Sequence, residues 1–123
     1  MNDFQPNIPI YAQLMSRIKH DIITGVMAPG SRLPSVRELA EQTSVNPNTV
    51  QRAYQELERE GISETRRGTG SFVCETDGLV DRLRAEMAEN LLDTFAGGMR
   101  SLGYSDEAMT KTLTAWIKGA KKA

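Results

Sequence analysis

The sequence predicts a mostly α fold with a small β-hairpin. An N-terminal winged helix-turn-helix domain is expected over residues 1–75, followed by a C-terminal two-helix dimerisation hairpin over residues 76–123. Three observations predict this. Apolar residues recur at helical spacing in three short segments before residue 60. The period then changes around Arg66-Arg-Gly-Thr-Gly70, where two short extended runs flank a glycine-bearing turn. From Val80 onward a longer helical stripe takes over.

The first helix is expected over residues 9–24, with Tyr11, Leu14, Met15, Ile18 and Ile22 on its apolar face and Gly25 as its stop. Met27-Ala-Pro-Gly-Ser-Arg-Leu-Pro34 reads as a turn leading into a short extended segment. Ser35-Val-Arg-Glu38 fits a capping box, so a second helix starts there with Val36, Leu39 and Ala40 inward. Thr43-Ser44 break it. Asn46 caps a third helix that runs to about Glu60, where Gly61 ends it. Pro47 does not disturb that start, because an N–H at the first helical position has no intrahelical partner to lose. Val50, Ala53, Tyr54 and Leu57 form the packing face. The strands are expected over residues 62–65 and 71–74.

In the tail, Val80, Leu83, Met87, Leu91, Phe95 and Met99 step by three or four residues. Gly103 stops that helix, and Ser105 caps a last one carrying Met109, Leu113, Trp116 and Ile117. A helical pair of 49 residues is near the lower limit for a core of its own. A second copy of the pair would complete it as a two-fold homodimer, with Val80, Leu83, Met87, Leu91, Phe95, Met99, Met109, Leu113 and Trp116 at the interface. The alternative is a hairpin folded back on its own winged domain. Gly97-Gly98 sits inside the helical run as either a kink or a close crossing.

Composition excludes some classes. With 39% hydrophobic and 25% charged residues the chain is too apolar for disorder. No apolar run approaches the roughly 20 residues that span a bilayer, and the N-terminus lacks the basic-then-apolar pattern of a leader. The single cysteine, Cys74, cannot form an internal disulfide, so a cytoplasmic protein with no membrane partner is expected. Net charge is −1, and both halves are close to neutral, so nucleic-acid binding has to rest on local placement of charge.

That placement is suggestive at the third helix. In a helix-turn-helix the second helix of the motif enters the major groove N-terminus first. With the apolar face inward, its start presents Asn46, Asn48, Thr49, Gln51 and Arg52. Asn and Gln suit adenine, Arg suits guanine, and a threonine methyl suits thymine. The alternative is a cap followed by a solvated face. Arg37 is read either as a phosphate grip or as a partner of Glu41 one turn on. Arg66 and Arg67 are read either as backbone or minor-groove contacts from the wing or as an ordinary charged hairpin.

Leu33-Pro-Ser-Val-Arg-Glu-Leu-Ala40, Val45-Asn-Pro-Asn-Thr-Val50, Ala53-Tyr-Gln-Glu-Leu57, Glu60-Gly61 and Arg67-Gly-Thr-Gly-Ser-Phe-Val73 occur in that order. Together they resemble the GntR family of bacterial transcription regulators, and in particular its YtrA-like subfamily. The resemblance covers residues 9–74 closely, and the tail in length and pattern. It implies a homodimeric regulator, usually a repressor, bound to a double-stranded DNA operator and often controlling a membrane transporter. It assigns DNA contact to Ser35, Arg37, Asn46, Asn48, Thr49 and Gln51, and to the wing residues Arg67, Gly68, Thr69 and Gly70. Relatives outside the subfamily often carry arginine in the recognition helix where this chain has Pro47 and Gln51, so their operators do not transfer. Larger members add an effector domain. With about 49 residues after the winged domain, a small-molecule effector is left to a pocket at the dimer interface.

Catalysis is not expected. His20 is the lone histidine and reads as a surface residue, Cys74 has no histidine near it in sequence, and cysteine and histidine are too few for a usual zinc site. No cofactor is called for. A winged helix that binds another protein through Trp116 and the methionines Met87, Met99 and Met109 is the remaining rival.

Overall fold

The computed structural model describes residues 4–122, with side chains through residue 120. The first three residues, part of the stretch read above for a leader, lie outside the described residues. Two compact units divide the chain, Met1–Arg84 and Ala85–Ala123.

The first unit begins with α1 (Ile10–Ile23), which buries Leu14, Met15, Ile18 and Ile22. The chain leaves it through Gly25 at φ 87°, in the left-handed region that glycine enters without strain. Next comes α2 (Val36–Thr43), closed at its start by the expected capping box on Ser35 and Glu38. Its end is Ser44, a non-glycine residue at φ 56°. After the two-residue link Val45-Asn46 the chain enters α3 (Pro47–Arg59), which buries Val50, Ala53, Tyr54 and Leu57. Helix α3 ends as glycine-terminated helices do. Gly61 donates to the Glu58 carbonyl at 3.0 Å, and Ile62 donates to the Leu57 carbonyl at 2.9 Å.

Strands β1 (Ser63–Arg66) and β2 (Gly70–Val73) pair antiparallel with Ser63 opposite Val73 and Arg66 opposite Gly70. Arg66 and Gly70 therefore lie inside the strands, and the turn contracts to Arg67-Gly68-Thr69. The wing also rests on a third stretch of backbone. Leu33 N–H donates to the Ser71 carbonyl and Val73 N–H to the Ser31 carbonyl, each at 2.8 Å, placing Arg32 opposite Phe72. The extended segment read from Ser-Arg-Leu-Pro is thus the edge against which the wing is built.

Helix α4 (Leu79–Ser101) follows the hairpin. Its first turn belongs to the first unit: Leu79 and Leu83 are buried in the same core as Leu14, Val50 and Leu57, and Val80 packs against it half-buried. Arg82 donates to the Glu60 carbonyl and Arg84 to the Ile23 carbonyl, each at 3.3 Å, fixing that turn further. The division accordingly falls at 84/85, beyond the 75/76 boundary expected from the hairpin's end. Leu83, expected at a dimer interface, is 1% exposed and already covered by its own chain.

In the second unit, α4 continues unbroken through Gly97 and Gly98. A Cβ at either glycine would meet nothing within 4 Å, so they mark neither a break nor a close crossing within the chain. Gly103 turns the chain at φ 93°, with Tyr104 N–H donating to the Met99 carbonyl at 3.1 Å. Arg100 pairs with Asp106 across the turn at 3.2 Å. Ser105 then caps α5 (Asp106–Lys122) by accepting from Ala108 N–H at 3.1 Å. Met109 is buried; Met87, Phe95, Met99 and Leu113 are half-buried; Leu91, Leu92, Trp116 and Ile117 are exposed. No helix among the described residues is long and apolar enough to cross a membrane.

Candidate nucleic-acid interface

The sequence-predicted residues gather on α2, the start of α3 and the wing. At α2, Ser35 Oγ accepts from Glu38 N–H at 3.0 Å while Glu38 Oε1 accepts from Ser35 N–H at 2.8 Å. These bonds hold the Glu38 carboxyl below its ordinary pKa, the Ser35 backbone contributing most. The Ser35 hydroxyl thus accepts from Glu38 N–H and also helps hold the Glu38 carboxylate, so its role in the box is structural first. One turn on, Arg37 Nε lies 3.6 Å from Glu41 Oε1, with the arginine side chain 90% exposed. An ion pair so exposed contributes little, about 0–1 kcal/mol, and a phosphate can displace it.

At α3, Asn46 Oδ1 accepts from Asn48 N–H at 2.8 Å. Capping therefore occupies its acceptor and leaves its amide N–H₂ to donate. Among the described residues, the side chains of Asn48, Thr49 and Gln51 have no hydrogen bond; Asn48 and Gln51 are exposed and Thr49 is half-buried. Arg52 is placed otherwise. Its guanidinium stacks 4.0 Å from the centroid of the Tyr11 ring, against α1.

On the wing, Arg66 is held by Glu64 at 3.4 Å, by Glu75 at 3.9 Å and by the Phe72 ring at 4.0 Å. Arg67 stands in the turn with Gly68 and Thr69, exposed and without an ion pair among the described residues. Gly68 at φ 75° is what lets so short a turn close, with Thr69 N–H donating back to the Arg66 carbonyl at 2.9 Å.

Two bonds that the sequence did not announce set these parts relative to each other. Tyr54 Oη donates to the Pro34 carbonyl at 2.5 Å, tying α3 to the residue before the Ser35 cap. Burial pushes its phenol far above the ordinary tyrosine range, so it stays a donor at any physiological pH. Thr65 Oγ1 donates to Glu58 Oε1 at 2.6 Å, tying β1 to α3. Tyr54→Phe is expected to cost about 1 kcal/mol in urea unfolding, since it removes the bond and leaves the ring packing intact.

The groups considered for catalysis are dispersed. His20 is exposed on α1, and burial raises the Cys74 thiol above its ordinary pKa, which opposes a nucleophilic role. No group of three or more His, Cys, Asp and Glu among the described residues could hold a metal ion.

Residues 10–73 match the family described as "Bacterial regulatory proteins, gntR family". The uncharacterized helix-turn-helix-type regulator YhcF of Bacillus subtilis is 43% identical over 118 residues, covering 96% of this chain and 98% of its own. The chain belongs to the GntR family. Its YtrA-like character follows from the Bacillus subtilis transcriptional repressor YtrA, 37% identical over 98% of this chain and 95% of that protein. Among solved structures, a GntR family regulator from Listeria monocytogenes superposes with a TM-score of 0.83 at 40% identity, over 94% of this chain and 98% of its own. The DNA-binding domain of AraR, solved in complex with operator ORX1, matches 58% of this chain and 92% of its own at 30% identity and a TM-score of 0.55. GntR proteins are DNA-binding transcription regulators, not enzymes, and the fold described here is the one their DNA-binding domains share.

Proposed function

We propose that this GntR protein is a cytoplasmic repressor that binds a palindromic operator as a homodimer, in the control of a transporter operon. The observation that carries the reading is the start of α3, where Asn48, Thr49 and Gln51 stand unpartnered at the end of a helix held by Tyr54 and by its Asn46 cap. These three, with the donor half of Asn46, are the base readers. Arg37 and Arg67 take phosphates, Ser35 fixes the start of α2 that carries Arg37, and Gly68, Thr69 and Gly70 bring the wing backbone close. Arg52 and Arg66, stacked and paired within the protein, are excluded from base contact in this reading. The AraR complex supports it, since there a domain of this fold is seen with its operator.

The homodimer rests on the second unit. Leu91 is 72% exposed and Trp116 69%, with Leu92 and Ile117 also exposed, large apolar side chains that a partner could cover. Met87, Phe95, Met99 and Leu113 flank it half-covered, with Met109 already buried. A second copy would cover this face and would match two half-sites with two recognition helices.

Selection of bound sites from a random duplex pool tests the function. An inverted repeat whose half-sites are one or two helical turns apart is the expected outcome, and enrichment of no common sequence would overturn it. Light scattering should give twice the monomer mass. On the selected duplex, Arg37→Ala should weaken binding and flatten the slope of log K against log salt by about 0.9. An unchanged slope would remove Arg37 from the phosphate contacts.

A further inference from the structure

We infer that Arg32, which no motif singles out, is a phosphate-binding residue seated between the wing and the recognition helix. The inference rests on the DNA-binding reading above. Its backbone is fixed by the bonds that flank it, Val73 N–H to the Ser31 carbonyl and Leu33 N–H to the Ser71 carbonyl. Its guanidinium lies against the backbone of Gly70. A Cβ there would come within 3.0 Å of Arg32 Nε and 3.4 Å of Nη2. Gly70, at φ 127°, thus leaves the space that the guanidinium fills.

Among the described arginines of α2, α3, the wing and its edge, Arg37 and Arg59 have carboxylates, Arg52 has a ring, Arg66 has both, and Arg67 in the wing turn shares with Arg32 the lack of either. Arg32 is exposed, with no carboxylate of the described residues within 4.0 Å. Glu38 feels its charge, but that carboxylate already accepts from Ser35 N–H. Its position is also defined. Arg32, Ser35 and Gly70 line a cleft that adjoins a second one lined by Gln51 and Gln55, the two sharing Val36, Tyr54 and Ser71. Arg32 and Gln51 therefore line adjoining clefts between α3 and the wing.

A duplex that takes the start of α3 in its major groove and the wing in the next minor groove carries one phosphate backbone across that divide. The planar fork of an arginine suits a phosphate there, and a guanidinium without a protein carboxylate loses no ion pair on binding it.

Fluorescence anisotropy tests this with a duplex selected by the protein and a shuffled duplex of the same length, between about 50 and 300 mM salt. Arg32→Ala should make the slope shallower by about 0.9 on both duplexes, and Arg32→Lys should retain it. Arg32→Gln serves the same comparison if the alanine variant does not fold. A slope that survives Arg32→Ala and Arg32→Gln while Arg37→Ala flattens it would overturn this inference alone. Loss of affinity on the selected duplex only would overturn it too, since that is the mark of a base contact. A wild-type protein that binds neither duplex would overturn the DNA-binding reading and this inference together.

Discussion

Leu83→Ala is expected to destabilise the protein by about 2–5 kcal/mol, the range for removing a leucine side chain from a closed core. Leu83 is 1% exposed and clusters with the core that holds α1 and α3. The loss should be independent of protein concentration, because the contacts removed lie within one chain. Leu91→Ala and Trp116→Ala should behave in the opposite way. Both side chains are exposed in the single chain, so shortening them removes little from the monomer. They should instead weaken the homodimer, so that at concentrations where the wild type is dimeric the variants are folded monomers whose unfolding midpoint loses the concentration dependence the dimer confers. Urea unfolding of the three variants at two protein concentrations checks all of this. A Leu83→Ala variant whose only defect is dimer dissociation would return Leu83 to the interface, where its spacing in the sequence first places it.

Leu83 also shows where the sequence stops being informative. Val80, Leu83, Met87 and Leu91 share one helical period, and a period says which face is apolar, not what covers each turn of it. The covering is decided by α1 and α3, which come from residues 60 or more positions earlier in the case of α1. The same limit hides the seat of Arg32, whose pairing with Phe72 spans a long stretch of chain, and the stacking of Arg52 on Tyr11. Local chemistry was legible by contrast. Ser35 with Glu38, Asn46 with Pro47, Gly61 and Ser105 each satisfy their own neighbouring amides or carbonyls, so four residues of sequence suffice to place them. The strands shifted by about one residue because Gly70, at φ 127°, still pairs with Arg66, and composition assigns such a glycine to the turn.

Gln51→Ala should relax sequence preference at one base pair of each half-site, costing about 1–3 kcal/mol against the selected base while leaving the shuffled duplex unaffected. Gln51 is exposed on α3, to one side of the face that buries Val50, Ala53, Tyr54 and Leu57, and its amide has no partner among the described residues. A side chain so placed contributes nothing to folding, so its loss should leave urea unfolding unchanged. Thr49→Ala is the companion change, removing a methyl suited to thymine from a half-buried position. Asn46→Ala should differ from both. It takes away the cap on Asn48 N–H, which costs about 0.5–2 kcal/mol of stability, and it should lower affinity for every duplex because the helix start itself loosens. Competition titrations with single-base-pair variants of the selected duplex separate the two patterns. If Gln51→Ala weakened the shuffled duplex as much as the selected one, Gln51 would be a backbone contact, and base reading would fall to Asn46, Asn48 and Thr49.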